Sequence, residues 1–243
     1  MAKLKDIVDE LVTANRILAD QGIVDSFGHV SVRHPKDDKL YLLSRARAPE
    51  LVEARDIVAY ALDGEPAHPK KAKGLAPYIE RFIHGAIYEA RPDVQSVVHN
   101  HSPSTIPFGV TGNPLKPVQH MCASIGHDVP LWDSQDCFGD TALLVNSMEM
   151  GRDLASRLGQ GAALLMRGHG AVAAAGSIRQ AVFVSVYLER NAQLQMQAMS
   201  MGRVKFLSTG EIDAVIARTG PQTLDRAWEA FARRVGRKRK EPR

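Results

Sequence analysis

Two apolar runs, residues 162–166 and 171–175, flank the tetrapeptide Arg167-Gly168-His169-Gly170, and no other feature constrains the fold of this 243-residue chain as tightly. The glycines permit a sharp reversal, so the segment reads as strand, tight turn, strand. Segments 29–33, 39–43 and 56–62 are likewise rich in Val, Ile, Leu and Tyr, with Pro35, Asp37, Asp38, Asp63 and Gly64 between them, and read as antiparallel strands. Residues 95–101 read as a further strand. Apolar residues three and four apart mark a helix over 4–20, ended by Gly22. Pro77 suits the first turn of a helix running to Tyr88 and closed by Arg91-Pro92. A helix is also expected over 147–158, Ser177 is a natural cap for a long one to about Met199, and Ser208 and Pro221 start two shorter ones. This order predicts one α+β or α/β layered domain, with helices on both sides of a mainly antiparallel central sheet. Without a repeat or long linker, residues 1–232 read as a single catalytic-sized domain and 233–243 as a basic C-terminal tail.

Charge and composition narrow the function classes. The net charge of +4 comes from the tail, which holds seven Lys or Arg against one Glu; the remaining residues carry a net −2. Such a run is usually solvated, so nucleic-acid binding is not expected. The longest stretch without Asp, Glu, Lys or Arg, residues 94–115, is interrupted by His, Asn, Ser and Pro, which argues against a membrane partner. Two cysteines outside any CxxC pair, and a start that is charged and amphipathic, lead to the expectation of a cytoplasmic protein.

The chemistry concentrates in three places. His99 and His101 alternate in a strand, so their imidazoles point to one side, which is metal-ligand geometry. A lone strand histidine is usually a satisfied core residue, but two before Ser102-Pro103 would be costly to bury without a partner. His169, between glycines at a strand end, offers a third imidazole and completes an open site for zinc or a similar cation. Glu80, near the start of the helix before the histidine strand, would by itself read as a solvated surface carboxylate.

Together Glu80, His99-Asn100-His101 and Gly168-His169-Gly170 resemble, in order and spacing, the class II aldolase/adducin family, from the first helix to about residue 198. The resemblance implies that His99, His101 and His169 bind one divalent cation per subunit, manganese or zinc with cobalt a further candidate. It implies that Glu80 carries a proton, and that the assembly is a homotetramer with interfacial active sites. Positions where sugar-phosphate aldolases of the family cradle phosphate align with Gly28-His29, Ser44-Arg45 and Tyr78-Ile79, so most small polar groups are replaced. His120 stands where the fuculose enzyme has a catalytic tyrosine.

Arginine suits bidentate carboxylate binding, and Tyr78 could wall a planar ring. With Phe27-Gly28-His29-Val30-Ser31, Met166-Arg167-Gly168-His169-Gly170-Ala171 and Tyr187-Leu188-Glu189-Arg190-Asn191-Ala192, the chain is similar to the decarboxylase branch, whose members act on hydroxypyridine dicarboxylates and dihydroxyphthalates in aromatic catabolism. The expected activity is therefore metal-dependent carbon–carbon lysis of a hydroxylated aromatic or pyridine carboxylate. Glu80 or His120 would transfer the proton, and His29, Arg45, Arg47 and Tyr78 would bind the small-molecule substrate. A sugar-phosphate or keto-acid aldolase is the alternative; a non-catalytic adducin-like scaffold is a third, against which the histidine set argues.

Overall fold

The computed structural model describes residues 3–238. In chain order the elements are α1 (Leu4–Asp20), β1 (His29–Arg33), β2 (Leu40–Ser44), β3 (Ile57–Ala61), α2 (Pro69–Ala72), α3 (Arg81–Ala90), β4 (Ser96–Asn100) and α4 (Ile106–Thr111). After these come β5 (Leu131–Trp132), α5 (Gln135–Phe138), α6 (Met148–Leu158), β6 (Ala163–Met166), β7 (Gly170–Ala175), α7 (Ile178–Met201), α8 (Thr209–Arg218) and α9 (Pro221–Lys238). The strands form one seven-stranded sheet in the order β3-β2-β1-β4-β7-β6-β5. Every pairing is antiparallel except that of β5 with β6.

Alternation along the central strands assigns each residue to a layer. Val30, Val32, Val98 and Ala173 join α1, α7 and α9 in one apolar cluster. Val97, Leu164, Val172 and Ala174 join α3 and α6 in another on the opposite face. The sheet is thus covered on both sides, as the order of elements predicts. Ser147 and Ser177 cap α6 and α7 by accepting the amides of Met150 and Gln180, and Ser208 with Glu211 forms a capping box at α8.

Most expected boundaries shift by a residue or two, and three of the differences bear on the site or the domain limits. Helix α3 starts at Arg81, not near Pro77, because Tyr78 and Glu80 are engaged elsewhere: the Tyr78 hydroxyl bonds the Arg47 backbone and the Glu80 carboxylate accepts the Val145 amide. Strand β4 ends at Asn100, which leaves His101 one residue beyond it. The segment expected to be a solvated tail is partly helix, since α9 continues to Lys238 and buries Val235 in the first cluster; residues 239–243 lie outside the described residues. No helix among the described residues is long and apolar enough to cross a membrane.

Candidate metal centre and active-site cleft

The site lies where β1, β4 and the β6–β7 turn meet. His99 pairs in register with His29 on β1, so the two side chains share a face of the sheet, with ring centroids 5.1 Å apart. The β6–β7 turn brings in His169. Gly168 there has φ +63°, and a Cβ on Gly170 would lie 2.1 Å from the carbonyl oxygen of Asn100. Only glycine lets β7 approach the end of β4 that closely, and this approach carries His169 to the other two histidines.

The three Nε2 atoms converge. His101 Nε2 is 3.1 Å from His99 Nε2 and 3.2 Å from His169 Nε2, while Glu80 Oε2 lies 3.4 Å from His99 and 3.5 Å from His169. Two nitrogens bound at about 2.1 Å are roughly 3.0 Å apart at a right angle and roughly 3.4 Å apart at a tetrahedral one. The observed spacing therefore fits a single divalent cation. Outer contacts agree: His169 Nδ1 lies 2.9 Å from the carbonyl oxygen of Leu143, which can only accept, so its proton sits on Nδ1 and the Nε2 lone pair faces inward. His101 Nδ1 lies 3.2 Å from Asp25 Oδ1 in the same sense, whereas His99 Nδ1 is buried without a partner among the described residues.

Electrostatics prepare these groups for a cation. Burial alone would raise the Glu80 carboxyl, but the charge and hydrogen bond of His99, the charge of His169 and the Val145 amide prevail and bring it to about 2. Burial, reinforced by His99, lowers His169 to about 4 and also lowers His101. Near neutrality Glu80 is thus a carboxylate, and these two imidazoles are neutral, the forms that bind metal.

From this cluster opens a cleft of about 540 Å³, lined by Phe27, His29, Arg47 and Tyr78 among others. The Tyr78 ring stands 4.4 Å from His29, and its hydroxyl is occupied by the Arg47 carbonyl, so what it offers the cleft is an aromatic wall. Arg47 Nη1 and Arg45 Nε each lie 2.7 Å from a carboxylate oxygen of Asp56. Asp56 is buried, yet the two arginines and the Glu53 amide outweigh that burial and hold its carboxyl below the usual range. The structure thus brings together Glu80, His99, His101, His169, His29, Tyr78 and Arg47. Arg45 is not on the lining, and His120 lies apart, exposed at the start of a short 3-10 helix beside α7 and α8.

Sequence reasoning missed Asp25, Asp56 and the core residues Ser31, His84 and Tyr88 behind His29. His84 is fully buried and pushed down to about 3, chiefly by that burial and further by His99. A signal for it existed: His84 and Tyr88 are four residues apart on a helix whose other buried positions are apolar.

Residues 9–196 match the family described as the Class II Aldolase and Adducin N-terminal domain. The chain belongs to the class II aldolase and adducin family. It is 32% identical over 252 residues to the decarboxylase tropJ of Talaromyces stipitatus, covering 94% of this chain and 93% of the relative. It is 30% identical over 241 residues to a 3,4-dihydroxyphthalate decarboxylase of Arthrobacter keyseri, covering 93% of each. A crystal structure of an aldolase II superfamily protein from Pseudomonas syringae superposes with TM-score 0.80 at 22% identity, over 98% of this chain and 95% of that one. Family and fold thus define a class II aldolase-like enzyme scaffold with relatives that are lyases.

Proposed function

We propose that this protein is a metal-dependent carboxy-lyase that removes carbon dioxide from a hydroxylated aromatic or pyridine dicarboxylate. The observation that carries the reading is the cleft itself, with a cluster of one glutamate and three histidines at its base and an aromatic, imidazole and guanidinium wall above it. The names of the two curated relatives support the same class of reaction.

A divalent cation held by His99, His101 and His169 would stabilise the negative charge that develops on the substrate during carbon–carbon cleavage. Tyr78 packs against the ring. Arg47, with one guanidinium arm on Asp56, keeps N–H groups for the carboxylate that is retained, and His29 adds a ring nitrogen beside it. Glu80, ionised and adjacent to the cluster, takes the proton of the substrate hydroxyl and returns it to the ring carbon bearing the departing carboxylate. The C–C electron pair then flows back into the ring as carbon dioxide leaves, and the phenolate formed takes a proton from water. Within one chain Glu80 is the group in reach; His120 would meet the cleft only from a neighbouring copy of a homotetramer. A cytoplasmic setting is consistent with this small-molecule chemistry.

The reading is tested by supplying the protein with manganese, zinc or cobalt and a panel of hydroxylated phthalates and pyridine dicarboxylates. Release of carbon dioxide with one retained carboxylate supports it. Cleavage of sugar phosphates without carbon dioxide release from any of the acids would instead make the protein an aldolase.

A further inference from the structure

Behind the cleft wall a hydrogen-bonded chain runs into the core. His29 Nδ1 is 2.7 Å from His84 Nε2, His84 Nδ1 is 2.6 Å from Ser31 Oγ, and Ser31 Oγ is 2.7 Å from the Tyr88 hydroxyl. All four residues are buried. The arrangement follows from two periodicities. His29 and Ser31 are two apart on β1 and share a face, while His84 and Tyr88 are four apart on α3 and lie one turn from each other.

This chain has a direction. Among the described residues the Tyr88 hydroxyl has one hydrogen-bond partner, Ser31 Oγ. A buried phenol proton pointing away from Ser31 would go unsatisfied, so Tyr88 donates to Ser31. Ser31 then spends its one proton on His84 Nδ1. A neutral His84 with an accepting Nδ1 carries its proton on Nε2 and donates to His29 Nδ1. His29 in turn carries its proton on Nε2, on a ring that lines the cleft. The opposite order would strand the Tyr88 proton and present a lone pair to the substrate.

We propose that Tyr88, Ser31 and His84 are positioning residues that fix His29 as an Nε2–H donor toward the carboxylate the substrate retains. The inference rests on the reading of the cleft as a dicarboxylate site. It makes acceptance of an anion at this wall a property of a core relay as well as of the arginine: a donating edge attracts a carboxylate, and the other tautomer repels it.

Long-range 1H–15N correlation spectra of the full-length, zinc-loaded, substrate-free protein read the His29 tautomer directly. An Nε2-protonated pattern is expected, and an Nδ1-protonated one overturns the proposal. Because no turnover is measured, a correct tautomer in a protein that releases no carbon dioxide would sink only the proposed activity. In kinetics, His84→Leu should mix the His29 tautomers and raise KM for a dicarboxylate roughly tenfold or more, leaving kcat within about threefold and the monocarboxylate KM nearly unchanged. His84→Gln, which keeps an N–H near the position of Nε2, should restore most of that KM. Equal effects on both substrates, an unchanged KM in His84→Leu, or no rescue by Gln would each overturn the relay. Circular dichroism and zinc content identify a variant that has failed to fold, and the wild-type spectrum decides the matter without it.

Discussion

Replacing Arg47 by lysine isolates carboxylate recognition from the rest of the mechanism. The substitution keeps a positive charge but loses the planar fork, one arm of which is held 2.7 Å from Asp56 while the rest remains for the cleft. One hydrogen bond to a charged group contributes about 1.5–3 kcal/mol, and each 1.4 kcal/mol is about tenfold in affinity. The Arg47 side chain is 23% exposed, so solvent screening places the effect in the lower half of that range, about 10–40-fold in KM for a dicarboxylate. Arg45 shares Asp56 but lies off the lining, and Arg45→Lys should change KM less than about threefold. Steady-state carbon dioxide release from a dicarboxylate and from its monocarboxylate analogue measures both. Equal losses on the two substrates, or a larger loss in Arg45→Lys than in Arg47→Lys, would refute the assignment of Arg47 to the retained carboxylate.

Other expected outcomes follow from the cluster and its supports. Glu80→Gln should retain the cation, since its oxygen can still accept the Val145 amide, but lose turnover by on the order of 10²-fold; near-normal turnover removes Glu80 from proton transfer. Asp25→Asn, which removes the charge supporting His101, should weaken metal affinity by about 10–100-fold in a chelator competition, and unchanged affinity would show that Asp25 does not orient the ligand. The metal-free protein should lose stability on acidification. His169 at about 4 and His84 at about 3 lie below the usual 6.5, so the folded chain binds fewer protons than the unfolded chain as pH falls below 6.5. Glu80, at about 2 against 4.5, extends the loss below pH 4.5. The two imidazoles together amount to a few kcal/mol by pH 4.5, read as a falling urea midpoint; a midpoint flat from pH 7 to 4.5 contradicts the neutral imidazoles.

What the sequence reveals of the site depends on whether the partners are encoded locally. The alternation of His99 with His101 and the glycines around His169 announce themselves, because two-residue periodicity and a turn are local properties. Most strands and the Ser177 and Ser208 helix starts are legible for the same reason. Asp56 escapes notice because its importance lies in meeting Arg45 and Arg47 across a strand pair, and 9–11 residues of separation carry no mark of that. Leu143 and Val145 act through backbone atoms, which no side-chain pattern reports. The start of α3 is misread because the capping preference of Pro77 is worth less than the contacts that hold Tyr78 and Glu80 out of the helix. The two-residue strand β5 is too short for periodicity to show.

The central claim is that His99, His101 and His169, with Glu80 beside them, build one cation site on which carbon–carbon cleavage depends. Stripping the protein with a chelator and returning manganese or zinc in known equivalents, with metal content and carbon dioxide release measured on the same samples, tests it most directly. Turnover should rise linearly to one cation per chain and then stop rising, and His99→Ala, His101→Ala and His169→Ala should each bind little metal and release little carbon dioxide. Full turnover in the stripped protein, or full metal occupancy in all three histidine variants, would contradict the account.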